Sequence, residues 1–253
     1  KLRMAGHSHS SNVAGRKSAV DAKRAKQFTK AAKDIIVATR DKGKDPTSNP
    51  SLRLAIERAK YVNMPKDKIE YAILRGCGEV PGLTYEEKVY EGYGPGGIAI
   101  IVDVLTDSIT RTASEIKHIF SKYGGNMGEP GCVSWDFKKV GLIVIKGNNL
   151  KEDEVMEIAL DCGASDISQV DDNFEVITEF SDFYTVLENL KAKNFQVENA
   201  EFVKIPGNKI TLDVETGLAA VKIIELLDAL QDTQTIWTNL EYTPELIAAL
   251  NKE

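Results

Sequence analysis

Lys23, Lys26, Lys30 and Lys33 recur at intervals of three, four and three residues. At helical periodicity that spacing sets four ammonium groups along one side of a helix. A row of point charges on flexible stems suits phosphate oxygens better than base edges. Arg16, Lys17 and Arg24 extend the row, and Arg53 and Arg58, with Lys60, add cations further along. If about six phosphates of a duplex are contacted, log K falls with log salt with a slope near −5. Two other origins of the pattern stay open: a plain solvated helix face, and attraction between a basic and an acidic part of the same chain.

Other residues with chemical potential are sparser. His7 and His9 flank Ser8 in a polar arm, but no third ligand stands near them, so phosphate or base contact is the expected role and no metal is expected. Tyr90-Glu-Gly-Tyr93-Gly94-Pro95-Gly96-Gly97 lacks the Lys-Ser/Thr of a phosphate loop and opens a strand where a dinucleotide fingerprint opens a helix. It reads as a sharp hairpin turn, with Tyr90, Tyr93 and Gly94–Gly97 as a possible contact loop for RNA or a partner. Cys77, Cys132 and Cys162 match no zinc or redox spacing. No nucleophile, base and orienting group are spaced as a catalytic set, so the expectation is a non-enzyme without cofactor or small-molecule substrate.

The whole chain of 253 residues carries a net charge of −6. Its distribution is lopsided. Residues 1–78 hold 18 Lys/Arg against 7 Asp/Glu, and residues 79–253 hold 14 against 31. One part is suited to a polyanion and the rest is repelled by it. No apolar run reaches membrane-spanning length and no secretory h-region is visible, so a cytoplasmic location without membrane contact is expected. Met4 reads as the natural start, and Lys1, Leu2 and Arg3 carry no weight.

The elements that must position these residues follow from periodicity. Residues 1–17 form a polar arm. A helix from Ser18 to Lys42 has Phe28, Ala31, Ala32, Ile35 and Ile36 as its apolar stripe. A second starts at Asn49-Pro50, and a third after Pro65 with Gly76 as its cap. These make a helical domain, 18–78. Next come strands at Tyr85–Tyr90 and Ile98–Leu105, then a helix with Thr112 and Glu115 as a capping box. From Leu142 to Ile205 the order is β-α-β-β-α-β, the ferredoxin-like pattern. A short strand at Ile210–Leu212, a helix and a strand at Thr235–Leu240 follow. The fold class is α+β and multi-domain. A three-helix domain precedes two α/β sandwiches, and the ferredoxin-like one (134–206) is inserted into a discontinuous one (79–133 plus 207–243).

Several long motifs carry a resemblance. Met4-Ala-Gly-His-Ser8, Asp21-Ala-Lys-Arg-Ala-Lys-Gln-Phe-Thr-Lys30, Asn63-Met-Pro-Lys66, Tyr90–Gly97 and Phe120-Ser-Lys-Tyr-Gly-Gly-Asn126 resemble the YebC/PmpR family, bacterial relatives of the mitochondrial translational activator TACO1. The likeness spans residues 4–240. It implies a three-domain protein that binds nucleic acid, as a ribosome-associated translation factor aiding difficult peptide bonds or as a DNA-binding transcriptional regulator. By the same likeness His7, Ser8, Lys17, Lys23, Arg24 and Lys30 fall where RNA is contacted. The family's basic or tryptophan residue after the first His-Ser is replaced here by His9-Ser10-Ser11. Ribosomal RNA is the first expected partner, DNA the second, and a monomer is expected.

Overall fold

The structure, a computed structural model, describes residues 17–82, 84–147, 152–170 and 172–251, with side chains from residue 25 onward except that of residue 152. Three helices come first: α1 (Lys17–Lys42), α2 (Pro50–Tyr61) and α3 (Lys66–Gly76). Alanine-rich and free of Gly and Pro, α1 runs for 26 residues. It stops at Gly43, whose φ of +89° suits only a residue without Cβ. Asn49 caps α2 by accepting from the Leu52 N–H, and Pro50 occupies the first turn. Ala31, Ile35, Ile36, Leu52, Ala55, Ala59, Ile69 and Ala72 form the core between the three helices.

Gly76 does not cap α3. Cys77 ends that helix, and Gly78 takes the left-handed conformation at φ +79°. Gly76 serves instead as a close contact: a Cβ there would stand 2.6 Å from the Ile36 carbonyl oxygen and 2.7 Å from the Thr39 Cβ. The smallest residue lets α3 lie directly on α1.

The second part is a four-stranded antiparallel sheet, in the order β3 (Asn126–Met127), β1 (Glu86–Tyr93), β2 (Ala99–Thr106), β8 (Thr233–Thr238). Helices α4 (Ile109–Lys122) and α7 (Val214–Ala229) bury Ile116, Phe120, Ala220, Ile223 and Leu227 against Ile98, Ile100, Val102 and Val104. A last helix, α8 (Pro244–Leu250), adds Leu246. Two local expectations are corrected. Thr112 lies inside α4, whose N-cap position is Ser108, so Thr112 and Glu115 form no capping box. Residues 210–212 make no strand; Ile210 forms a single parallel bridge to Leu240.

Residues 135–208 form a compact unit of their own. Their elements are β4 (Phe137–Lys146), α5 (Glu152–Asp161), β5 (Asp166–Val170), β6 (Asn173–Glu179), α6 (Phe183–Ala192) and β7 (Val197–Pro206). The sheet order β5-β6-β4-β7, antiparallel throughout, is the ferredoxin-like arrangement. The other unit holds the helical domain, the first sheet and the segment from residue 209 onward.

Candidate nucleic-acid interface

Three of the four row lysines have described side chains, and all three are committed within the chain. Lys26 and Lys30 both pair with Asp228, each at 3.2 Å. Lys30 also donates to the Gln234 carbonyl at 2.8 Å. Lys33 is 2% exposed and spends its three donors on Asp232 Oδ1 at 3.0 Å, the Leu105 carbonyl at 2.8 Å and the Gln231 carbonyl at 3.3 Å. The expected phosphate row is therefore corrected at Lys26, Lys30 and Lys33, which are paired within the chain. Lys33 reaches no phosphate, because a buried ammonium with every donor filled has nothing left to offer. Lys26 and Lys30 share one carboxylate, which leaves that contact with an excess of positive charge.

Asp232 is the centre of this clasp. It accepts from Lys33, Arg111, Thr106 Oγ1 at 3.0 Å and Thr112 Oγ1 at 2.8 Å. Burial pushes its carboxyl upward, but hydrogen bonds from Arg111, Thr112 and Lys33 outweigh that and hold it at about 2. For Asp228, burial again opposes ionisation, and the charges of Lys30 and Lys26 again win, lowering its pKa. Burial and then the neighbouring Lys30 lower the pKa of Lys26, with Asp228 pulling the other way. The lysine thus bears the strain of sharing, and the carboxylate gains from it. Asp34, half-buried on α1, is raised to about 6 by burial, with Arg58 and Lys30 opposing. Arg58 is itself half-buried beside that carboxylate, and Arg53 is half-buried as well.

The outward side of the helical domain is differently equipped. Lys60, Lys66 and Lys68 are exposed. Tyr61 is 70% exposed and Tyr71 54%. Asn63, at φ +60°, makes the tight turn between the two helices that carry them. Along α3 the exposed residues are Lys66, Asp67, Lys68, Glu70, Tyr71 and Leu74. None is an Arg, Asn or Gln able to grip a base edge with two hydrogen bonds. Charge spacing singles out Lys60 but not Tyr61, Lys66, Lys68 or Tyr71; Lys66 pairs locally with Glu70 at 3.5 Å, and the Lys68 ammonium lies 5.4 Å from the centroid of the Phe28 ring.

The glycine-rich stretch divides in two. Tyr90, Glu91, Gly92 and Tyr93 belong to β1, and only Gly94–Gly97 turn the chain. Tyr90 is half-buried, packing against the core of the first sheet and donating its hydroxyl to the Ile109 carbonyl at 3.4 Å. Tyr93 is exposed, and its hydroxyl donates to the Cys132 carbonyl at 2.9 Å. Pro95, Gly96 and Gly97 form a short 3₁₀ turn; Gly96, at φ +70°, sits against Leu212 and Thr216. Glu91 is buried and accepts from the backbone N–H groups of Gly131, Val133 and Ser134. These bonds overcome burial and keep its pKa low. His7, Ser8, His9 and Arg16 lie outside the described residues, as do the side chains of Lys17, Lys23 and Arg24.

Residues 8–79 match the model of the TACO1/YebC protein N-terminal domain, and residues 85–240 match that of the TACO1/YebC second and third domain. The chain belongs to the TACO1/YebC family. A "probable transcriptional regulatory protein" of Dictyoglomus turgidum is 45% identical over 98% of this chain and 100% of its own length. One of the same description from Desulfosudis oleivorans is 48% identical over 93% of this chain and 96% of its own. A crystal structure of a conserved hypothetical protein from Aquifex aeolicus superposes with a TM-score of 0.80 at 40% identity, covering 92% of this chain and 97% of that one. Within this TACO1/YebC chain, no helix among the described residues is long and apolar enough to cross a membrane.

Proposed function

We propose that the chain is a non-enzymatic regulator of gene expression that binds ribosomal RNA through the outward side of its helical domain and the segment before it, aiding difficult peptide-bond formation. The observation that carries this is the surface of α2 and α3. Tyr61 and Tyr71 are exposed on these two helices, as are Lys60, Lys66 and Lys68, and the exposed residues of α3 include no bidentate base reader. Rings that accept stacked bases, together with lysines that meet phosphates, suit unpaired RNA. A helix inserted in a DNA major groove needs edge-reading side chains instead. His7, Ser8, His9, Arg16, Lys17, Lys23 and Arg24 belong to the same contact by charge and proximity in sequence.

A second reading is favoured by the relatives described as transcriptional regulators: binding to duplex DNA. Sucrose-gradient sedimentation of cell extract at low salt separates the two. The wild-type chain is expected with ribosomal particles, and the Tyr61→Ala/Tyr71→Ala/Lys66→Glu variant is expected near the top of the gradient. A wild-type chain that sediments freely and selects one duplex sequence over others would establish the DNA reading.

A further inference from the structure

Residues 152–190 hold 12 Asp/Glu and no Lys, Arg or His. They make up α5, β5, β6 and most of α6. Asp153, Glu157 and Asp161 on α5 and Asp166 on β5 are exposed, and no ion pair among the described residues engages them. Charge of one sign over a surface does no more than keep it solvated. Beside these acids, however, lie an open strand edge and a strip of exposed apolar side chains.

In the order β5-β6-β4-β7, β5 is an edge strand and pairs with β6 alone. Such an edge is a template for a further strand. Ile167 gives its N–H to the Asp166 carboxylate at 2.9 Å instead of to β6. Alternate residues of an antiparallel strand bond to their neighbour, so Ile167 and Gln169 turn their backbone groups toward the open side. Ser168 and Gln169 are exposed there. Met156, Ile167, Ser168, Gln169 and Phe174 line a shallow depression. Phe174 and Ile167 are its buried members, and Met156, on α5, is 37% exposed. Leu160, one helical turn further along, is 49% exposed. Asp153, Glu157 and Asp161 form the row of α5 beside this strip.

We propose that the β5 edge, with the Met156–Leu160 strip of α5, is a docking surface for an extended, lysine- or arginine-rich peptide segment of a partner protein. The segment adds to the sheet as a strand beyond β5. Its carbonyl groups take the N–H groups of Ile167 and Gln169, and the Asp166 carboxylate, released from Ile167, meets one of its cations. Side chains alternate along an added strand. Those on one face lie against Met156 and Leu160, whose flexible neighbour-filling suits varied apolar partners, and those on the other face the acids. The charge decides the occupant. Nucleic acid is repelled by these carboxylates, and so is a second copy of the same acidic edge, whereas a basic segment is attracted. The proposal stands apart from what the helical domain binds.

The test is fluorescence anisotropy of a fluorescein-labelled peptide of alternating lysine and valine, titrated with the full chain at low salt. Met156→Ser/Leu160→Ser is expected to weaken binding about tenfold, the loss of an apolar anchor. Both positions are exposed, so the variant should fold, and thermal melts serve as the control. Gln169→Pro removes one donor from the open edge and none from the ladder to β6, and should weaken binding severalfold. A peptide with proline in place of every valine keeps the charge but cannot build the ladder, and should bind far more weakly than the valine peptide. Equal affinity for the two peptides would overturn the proposal, because charge alone would then hold them. Unchanged affinity in Met156→Ser/Leu160→Ser would overturn it as well. A fluorescein-labelled 15-mer oligouridine is the second probe. Its affinity should be the same for wild type and the double variant, and a loss in the variant would give the edge to nucleic acid instead. Sedimentation velocity covers the remaining occupant: a dimer that the double variant abolishes would assign the edge to a second copy and overturn the peptide reading.

Discussion

The helical domain has two sets of lysines that look alike in sequence and differ in everything else. Lys26, Lys30 and Lys33 face inward onto Asp228 and Asp232, while Lys60, Lys66 and Lys68 face solvent. The inward set neutralises carboxylates of the same chain and fastens α1 to the last turn of α7 and the segment that follows it. The outward set is exposed, with only local contacts such as Lys66 to Glu70 at 3.5 Å and Lys68 over the Phe28 ring, and has phosphates as its proposed partners. Charge alone therefore does not reveal a binding face. What separates the two sets is whether an acidic partner from a distant segment is already in place.

That contrast predicts a division of effects. Lys33→Ala strikes hardest, because it leaves Asp232 buried with one cation fewer and frees two carbonyl acceptors. Urea unfolding should show a loss of about 3–5 kcal/mol. Oligouridine affinity, corrected for folded fraction, should stay within twofold of wild type. A stable Lys33→Ala that binds RNA poorly would erase the distinction between the two sets.

Acid should act on the inward set next. The folded-state value of about 2 for Asp232 lies below the unfolded value near 3.9. Its contribution, about 2–3 kcal/mol, is complete above about pH 4 and is lost as pH falls toward 2. Unfolding free energies measured from pH 5 to pH 2.5 should fall steeply in wild type and less steeply in Asp232→Asn.

Asp34 has the opposite sign. Its folded value of about 6 exceeds the unfolded one, so its charged form is the strained form and stability rises as pH drops from 7 through 6 toward 4. Asp34→Asn should raise stability at pH 7 by about 1–2 kcal/mol and flatten the profile between pH 4 and 7. An unchanged profile would mean that Arg58 and Lys30 already balance the carboxylate.

Smallest in stability is the outward set. Lys60→Ala and Lys66→Ala should each shift unfolding by less than about 0.5 kcal/mol. Each should lower the salt slope of RNA binding by about 1.

Much of the architecture was legible from local pattern. The β-α-β-β-α-β order, the Asn49-Pro50 start and the apolar stripe of α1 each rest on residues close in sequence. The inward pairing was not, because Lys26 and Asp228 stand about two hundred residues apart and spacing carries no information over that distance. Two signals pointed toward it. One was the basic-to-acidic split of the chain. The other is Asp228 itself, an acid in the last turn of α7 where the helix dipole disfavours it, so some cation had to be near. Gly76 was misjudged for a related reason: a glycine near a helix end suggests a cap, and only the packed neighbour shows that it is there to admit Ile36 and Thr39.

The neck of the ferredoxin-like unit has a practical meaning. On its own side Asp136 closes it, its carbonyl accepting from the Gly207 N–H at 2.7 Å and its carboxylate from the Asn208 backbone and side chain. On the other side Glu91 holds the Gly131–Ser134 stub in place from the first sheet. Both cut ends are thus stitched before the cut is made. The contacts on each side of the junction are internal to that side, so residues 135–208 produced alone are expected to melt cooperatively as a folded unit in a thermal scan.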